Sequence, residues 1–361
     1  MLLKKRSSIL YKQLYCELSQ FGIGEKFWGI RDLQSKFQVS RRVVDFTLTQ
    51  FVNDRLLEHR EKEGYFVLKH RKARSVILYY NDWINGELPQ IAQYLKNEFK
   101  RLGEYYQFDS FAYDYQSDLV PLLEKSTADV LIVCLPARSI TCEELIYAMT
   151  SRKPVIFLER NLLDMPIHCT FSRNELGMSM LVEYLIQNGH SNMAFLPAEP
   201  LVDGNRIVAA SFCGIAGLRG CRVVEIPCAV QSGNHSPTMA YDALKNYLAR
   251  RPIDFSVLFV IGEYAASGAF NALREYDVRI PEDVSVVATG FSLIAGQLHP
   301  ALTTVGINPH IYSSELAHEI HRLWDHFEEG ERVTISLIPE IIKRESVCNL
   351  KQANPQGINA K

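Results

Sequence analysis

The chain has 361 residues, of which 47% are hydrophobic and 22% are charged, a composition typical of globular proteins and not of disordered or fibrous ones. Its charge is unevenly distributed: residues 1–75 hold 16 Lys and Arg against 8 Asp and Glu, and the remaining residues hold 23 against 33. A small basic part followed by a large acidic part is expected when only the first part binds nucleic acid.

The sequence lacks a recognisable secretion signal, membrane span or metal motif. Its first run, MLLKKRSSILYKQLY, is interrupted by charge, and no stretch of about 18 apolar residues occurs. The eight cysteines are scattered without a CxxC pair, which disfavours a zinc site or disulfide framework and favours buried free thiols. We therefore expect a cytoplasmic protein with no membrane association, no metal and no cofactor.

The first 70 or so residues predict three helices and a hairpin. Apolar spacing predicts helices over residues 8–21, 30–37 and 40–57, and the alternation in YFVLKH predicts a strand after a charged turn that includes Gly64. Ser40 is the predicted N-cap of the third helix because its hydroxyl can accept a hydrogen bond from a first-turn N–H. This order of elements is that of a winged helix-turn-helix domain.

The third predicted helix begins with Arg41 and Arg42, although the positive end of the helix dipole favours Asp or Glu there. A polyanionic partner reverses that preference, since arginines at a helix N-terminus bind phosphates and base edges. A solvated helix end is the alternative, but the basic charge of the segment favours double-stranded DNA. The predicted DNA contacts are Arg31, Ser40, Arg41, Arg42, Thr47, Lys62, Gly64 and Tyr65.

The run from Leu10 to Leu68 resembles the GntR-type winged-helix domain. The family pattern is matched position by position by Arg31, by the run Val39-Ser40-Arg41 and by the run Gly64-Tyr65-Phe66-Val67. Two features depart from it: Asp45 stands where the family often has a basic residue, and FWG (27–29) replaces an LPS turn. The resemblance implies a DNA-binding domain over residues 1–68, in which Asp45 would repel a nearby phosphate.

Residues 69–75 predict a basic linker, in which Arg71, Lys72 and Arg74 add sequence-independent attraction to DNA. From residue 76 onward, short apolar runs alternate with helical segments, which predicts α/β architecture with parallel sheets covered on both faces. The predicted strands are 75–80, 129–135, 154–159, 192–197, 222–227, 256–261 and 284–289, and predicted helices include 88–102 and 176–189.

The length of this part, roughly 270 residues, exceeds one sheet and predicts two doubly wound lobes. We expect the break between them near residues 165–170, a domain over residues 76–346, and a disordered tail over residues 347–361. 

Two segments of this part resemble LacI/GalR-type effector-binding domains, which have the periplasmic-binding-protein fold. They are SMLVEYLIQNGHSNMAFLP and IPEDVSVVATGF with the HPALTTVGIN that follows it. A GntR-type reader joined to a LacI-type sensor is the architecture of arabinose-repressor-like regulators. The resemblance implies a homodimeric transcription regulator, a repressor, that binds a DNA operator and is controlled by a small metabolite, a sugar or sugar derivative.

The effector is expected at the carboxyl ends of the strands, between the lobes. An aromatic ring with convergent acidic, amide and guanidinium groups suits a sugar. Trp83 would stack on the ring, Arg206 and Glu263 would bind its oxygens, and Arg138 or Arg160 is the next choice of cation. The predicted effector contacts are Asn81, Asp82, Trp83, Arg138, Glu159, Arg160, Arg206, Glu263, Tyr264 and Phe291.

Three polar anchors of the sugar-sensing relatives are replaced, by Val208, by Gly262-Glu263 and by Ser292. Three interpretations are open. The effector is unusual, or Arg206 and Glu263 take the place of the missing anchors in a shifted geometry, or effector binding has been lost. The last case is an effector-independent repressor whose large domain serves to dimerise. A solute-binding protein is a further alternative, disfavoured by the basic first 75 residues.

The sequence offers little for catalysis. GIAGLRG (214–220) has the wrong glycine spacing for a dinucleotide site, HEIH (318–321) is one residue short of a zinc motif, and no GxSxG occurs. We therefore expect no enzyme activity.

Overall fold

The computed structural model describes residues 2–68, 74–82, 87–103, 106–135, 138–201, 203–324, 326–327 and 330–353. The chain forms two compact units, Met1–Arg74 with Glu104–Gln107, and Ser75–Gly103 with Phe108–Lys361. Arg71 and Lys72 of the predicted linker lie outside the described residues, whereas Arg74 opens a strand.

The N-terminal unit has three helices followed by a hairpin, the order that the sequence predicts. Its elements are α1 (Leu2–Glu17), a 3-10 turn (Leu18–Gln20), α2 (Ile30–Phe37), α3 (Arg41–Asn53), β1 (Leu57–Arg60) and β2 (Gly64–Val67). The two strands pair antiparallel, with Leu57 opposite Val67 and Arg60 opposite Gly64. Phe66 also bridges to Lys26, which joins the hairpin to the segment before α2.

The third helix ends four residues earlier than predicted, at Asn53. Arg55 has a left-handed φ of 55°, and the N–H of Leu56 donates to the carbonyl of Phe51. This turn places Leu56 and Leu57 in the core, where both are fully buried. Burial of a leucine stabilises by about 1.5–3 kcal/mol, enough to end the helix here. The first helix differs in the other direction, since it begins at Leu2 and not at residue 8.

The core of this unit explains the FWG segment. Phe27 is buried, and its ring lies 5.0 Å from that of Phe21 and 5.3 Å from that of Trp28. It packs with buried Leu14, Leu33, Leu48 and Phe51 from all three helices. The aromatic residues at 27–28 are therefore structural.

The C-terminal unit contains two six-stranded sheets. Its strands are β3 (Arg74–Asn81), β4 (Tyr106–Tyr113), β5 (Val130–Cys134), β6 (Val155–Leu158), β7 (His168–Ser172), β8 (Asn192–Leu196), β9 (Arg222–Glu225), β10 (Val257–Val260), β11 (Ser285–Thr289), β12 (Thr303–Gly306), β13 (Thr334–Leu337) and β14 (Glu340–Ile342). Its helices are α4 (Glu87–Leu102), α5 (Val120–Lys125), α6 (Cys142–Thr150), α7 (Asn174–Gln187), α8 (Asp203–Leu218), α9 (Ser236–Leu248), α10 (Glu263–Glu275), α11 (Leu293–Gln297), α12 (Pro309–Leu323) and α13 (Leu350–Ala353).

The sheets define two lobes. The first lobe holds the strand order β13-β7-β6-β5-β3-β4 and the second holds β14-β12-β11-β10-β8-β9. In the first lobe, neighbouring strands from β13 to β3 in this order are parallel. In the second lobe, neighbouring strands from β12 to β9 are parallel, and β14 is antiparallel to β12. All seven predicted strands are present. 

The chain passes between the lobes three times. It leaves the first lobe after β7, at residue 173, which lies past the predicted break at 165–170. It returns after β12 through α12, which packs on α4 of the first lobe, and then runs from β13 directly to β14. The sequence prediction of one break is therefore corrected to three crossings.

The predicted disordered tail is also corrected. Residues 350–353 form α13, the N–H of Leu350 donates to the carbonyl of Asn188, and His190 contacts the carbonyl of Cys348. Residues 354–361 lie outside the described residues.

The expectation for the cysteines is corrected in part. All eight are free thiols, but only Cys169 is buried, and Cys16 and Cys142 are exposed. In the part of the chain that the structure describes, no helix is long and apolar enough to cross a membrane. Among the same residues, no three His, Cys, Asp or Glu side chains are placed so that they could hold one metal ion.

Candidate functional site

A cavity of about 360 Å³ lies between the two lobes, at the carboxyl ends of their parallel strands. Its walls include Asn81, Cys134 and Ser172, at the ends of β3, β5 and β7, and the second-lobe residues Thr289 and Val305. A volume of this size and a position at strand ends are typical of sites for small molecules.

The first-lobe wall contains three of the predicted residues, Asn81, Glu159 and Arg160. Ser172 donates a hydrogen bond of 2.6 Å to Oε2 of Glu159. Arg160 donates from Nη1 to the backbone carbonyl of Glu159, at 2.9 Å. Burial raises the pKa of the Glu159 carboxyl, and the Ser172 hydrogen bond and the Arg160 charge oppose that rise. Glu159 lines the cavity and its side chain remains accessible to solvent.

The second-lobe wall contains the predicted residues Glu263, Tyr264 and Phe291. Glu263 opens α10, and its two carboxylate oxygens lie 2.9 and 3.0 Å from the donating N–H of Ser292. Burial raises the pKa of Glu263, and the bonds from Ser292 and the charge of Arg344 oppose the rise. Glu263 therefore fixes the loop between β11 and α11.

Glu199, which the sequence analysis missed, also lines the second-lobe wall. It follows β8 by three residues, so the strand-end rule alone would have found it. Burial raises the pKa of its carboxyl to about 7, and a hydrogen bond with Ser236 opposes the rise.

Three predicted residues do not line the cavity. Arg206 is exposed on α8, and its Nε donates to the carbonyl of Leu201 at 2.7 Å. Arg138 forms an ion pair with buried Glu144, 2.6 Å from Nη2 to Oε1, and Asp82 is exposed beside the backbone N–H of Tyr115. Trp83 lies outside the described residues.

Other polar residues in the cavity wall were not predicted. On α8, Asn205 and not Arg206 lines the cavity, and Val208 forms an apolar part of the wall. Asn174 enters from the first turn of α7. Tyr312 enters from α12, with its hydroxyl 2.6 Å from that of Thr170. The contribution of α12 depends on the chain's return to the first lobe, which no local sequence signal reveals.

A second candidate surface lies on the N-terminal unit. Arg41, Arg42 and Phe46 on α3 are exposed, as are Arg31 on α2 and Ser40 before α3. Ser40 is the N-cap residue by its backbone, but its hydroxyl makes no capping hydrogen bond. The predicted cap is corrected accordingly.

Thr47 is not on this surface. It is fully buried, and its hydroxyl donates to the carbonyl of Val43 at 2.8 Å and lies 3.0 Å from that of Ser7. The prediction that Thr47 contacts DNA is wrong for this reason. Its spacing from Val43 and Val44 places it on the buried stripe of α3.

The hairpin lies beside this surface. Lys62 is exposed at the turn and Gly64 has a φ of 107°. Burial raises the pKa of Tyr65 on β2, and the negative charge of Asp45 on α3 raises it further. Asp45 is also paired with Arg41, with 3.6 Å between Nε and Oδ2.

Comparison with known proteins finds similarity in the C-terminal part of the chain. Residues 182–347 match the family model of the periplasmic binding protein-like domain. No match was found among curated protein sequences.

Solved structures of LacI-family regulators have the same fold. The regulator CCPA from Weissella paramesenteroides, with bound glucose, matches with a TM-score of 0.63 and 19% identity, over 77% of this chain and 100% of that chain. A LacI family regulator from Enterococcus faecium, with bound ribose, matches with 0.64 and 15%, over 77% and 100%. The Escherichia coli transcriptional repressor ascG matches with 0.61 and 19%, over 76% and 100%.

Proposed function

We propose that this protein is a sequence-specific DNA-binding transcription regulator, controlled by a small molecule that binds between the two lobes. The observation that carries the proposal is the presence of two sites in one chain. One is the exposed, arginine-bearing start of α3, and the other is the cavity between the lobes.

Three properties of the N-terminal unit support DNA binding. Arg41 and Arg42 are exposed at the first turn of α3, where the helix dipole also attracts phosphate. Lys62 and Tyr65 belong to a hairpin next to that helix, at the position of a wing that contacts DNA backbone or minor groove. Residues 1–75 carry a net charge of +8. Together they fit a GntR-type winged-helix reader in the major groove.

Similarity supports a sensor role for the C-terminal unit. Relatives of the same fold were solved with glucose or ribose bound, and a carbohydrate or a derivative is the corresponding effector class here. The cavity offers the amides of Asn81, Asn174 and Asn205 and the rings of Tyr264 and Phe291. Such groups hold a polyhydroxylated ligand by hydrogen bonds and by stacking.

The proposed mechanism couples the two sites through the lobes. A ligand that contacts both walls favours one arrangement of the lobes over the other, because its contacts differ between them. In a homodimer that change alters the spacing of the two DNA readers. A population shift from mostly one state to mostly the other requires a few kcal/mol of differential binding.

The test of DNA binding uses the full-length protein and an operator selected from random duplexes. Arg41→Ala with Arg42→Ala should abolish specific binding in fluorescence anisotropy and lower the salt slope by up to about two units. A matched control is Arg250→Ala with Arg251→Ala, a pair of exposed arginines in the other unit. Unchanged operator affinity of the first variant would remove the assignment of α3.

The effector-independent repressor remains the second candidate because Val208 replaces a polar anchor in the cavity wall. A thermal-shift screen of small molecules separates the two, since a ligand that binds the native state alone raises its stability. A regulator controlled by a ligand gives a shift, and the effector-independent repressor gives none.

A further inference from the structure

The charged groups in the cavity wall are unbalanced. Among the described lining residues, three carboxyl groups, of Glu159, Glu199 and Glu263, face one guanidinium group, that of Arg160. Arg160 lies beside Glu159, and Glu263 has the N–H of Ser292 and the charge of Arg344. For Glu199, by contrast, the described residues provide the Ser236 hydroxyl as the group that favours its charged form.

Two glycines make room for the second-lobe carboxyl groups. A Cβ atom on Gly262 would lie 2.9 Å from both Cγ and Oε1 of Glu199, and one on Gly290 would lie 2.7 Å from Cγ and Cδ of Glu263. Both glycines also have positive φ, 89° and 132°, which other residues rarely adopt. The backbone therefore accommodates these side chains at fixed places in the wall.

A buried carboxylate is costly unless a cation or several hydrogen-bond donors accompany it. The side chain of Glu263, at the start of α10, adds a second negative charge near Glu199 and not a countercharge. A cationic ligand would favour the charged form of Glu199, which burial disfavours. A neutral ligand would not favour that form, and an anionic ligand would add repulsion. An ammonium group supplies both a positive charge and three donors.

We propose that the effector carries a protonated amino group, which binds the carboxylate of Glu199 in the second lobe and is accessible to Glu159 in the first. The site itself rests on the proposed function; the inference concerns the chemical class of its occupant. It points to an aminated carbohydrate or a related polar amine and excludes sugar phosphates. Contact with both lobes also gives the amine a direct effect on their arrangement.

The test is a thermal-shift series on the full-length protein with matched ligands. The probes are D-glucosamine, D-glucose and D-glucose 6-phosphate, the corresponding galactose series, and linear diamines paired with diols, at a pH where the amines are protonated. We expect stabilisation by at least one amine and a smaller shift with its hydroxyl or phosphate counterpart. A larger shift with a neutral or phosphorylated member, or no shift with any amine, would overturn the inference.

Variants locate the amine. Glu199→Gln keeps the size and removes the charge, so the amine should bind at least about tenfold more weakly, since a hydrogen bond to a charged group contributes about 1.5–3 kcal/mol. Glu159→Gln should weaken it as well, and Glu282→Gln, an exposed acid outside the cavity, should leave it unchanged. Equal amine affinity in all four proteins would overturn the assignment to these carboxylates.

The same samples separate this inference from the proposed function. If a neutral sugar binds and changes operator affinity, the amine inference fails and the regulator remains. If an amine binds but no DNA sequence is selected, the regulator fails and the amine site remains.

Discussion

The charge at Asp45 provides a sharp test of how α3 meets DNA. Asp45 lies one turn after Arg41, and the pair is exposed, with side-chain exposures of 48% and 75%. Two unit charges 3.6 Å apart in water interact by about 1 kcal/mol before entropy and screening, and measured exposed pairs of this spacing give about 0.3–0.5 kcal/mol. Asp45→Arg should therefore lower the free energy of unfolding by no more than about 1 kcal/mol.

Its effect on DNA binding should be larger. The substitution frees Arg41 from its partner and adds a cation on the same face. One additional phosphate contact steepens the salt dependence by about 0.9 units, which corresponds to roughly eightfold tighter binding at about 0.1 M salt. Asp45→Asn removes the anion without adding a cation, so it should tighten binding less and change the slope little.

The assay is fluorescence anisotropy with the selected operator and a random duplex, each over a range of salt concentrations. Glu282→Arg is the control, because it reverses an exposed charge in the other unit. If Asp45→Arg binds like the unsubstituted protein at every salt concentration, the exposed face of α3 points away from DNA. If Glu282→Arg gives the same gain, the effect is one of total charge.

Three further predictions concern residues whose structural roles are specific. Thr47→Val should lower the free energy of unfolding in urea by about 1–3 kcal/mol, because a buried hydroxyl partner is lost, and leave operator affinity unchanged; weaker DNA binding at unchanged stability would contradict its buried position. Gly262→Ala should lower the free energy of unfolding by about 1–3 kcal/mol because of the positive φ at this position, and it should displace Glu199, so that ligand binding is lost. Gly217→Ala, at a helical glycine with open space around it, should be tolerated. Retained ligand binding in Gly262→Ala would refute the close packing. Burial lowers the pKa of His168 from 6.5 to about 4, so the unfolded chain binds a proton at this residue before the folded chain does. The free energy of unfolding should therefore fall by up to roughly 3 kcal/mol as the pH drops from 6.5 to 4. Urea unfolding of His168→Gln should lack this part of the pH dependence, and an identical pH profile would contradict it.

The sequence predicted the most apolar strands of the C-terminal unit, together with β3 and the partly buried β9. Buried β5, β6, β8, β10 and β11 are runs of apolar residues with no competing interpretation. Among the missed strands, β4 is mostly exposed, β13 alternates and β14 has three residues. The missed strands β7 and β12 are mostly buried, but they contain polar His, Thr or Ser residues. These strands are stabilised by pairing in a sheet, which a local pattern does not encode.

The site could be predicted to the level of the strand ends, but not of individual side chains. Glu159 directly follows β6, and Glu263 opens α10 just after β10. The rule that ligands bind at the carboxyl ends of strands therefore placed both residues correctly in the cavity. The choice between Arg206 and Asn205 depends on the rotation of α8, and only one of them faces the cavity. Thr47 was misassigned for a different reason: its chemistry suits DNA, but the helical period that identified Val43 and Leu48 as buried includes it too.

The central claim is that a molecule in the cavity controls DNA binding by α3. The most direct measurement is operator affinity of the full-length protein with and without a saturating concentration of a ligand found in the thermal-shift series. The account predicts a change of at least about tenfold, or 1.4 kcal/mol. At a ligand concentration that leaves Glu199→Gln partly unoccupied, this variant should show a smaller change. The same operator affinity at full ligand occupancy would contradict it.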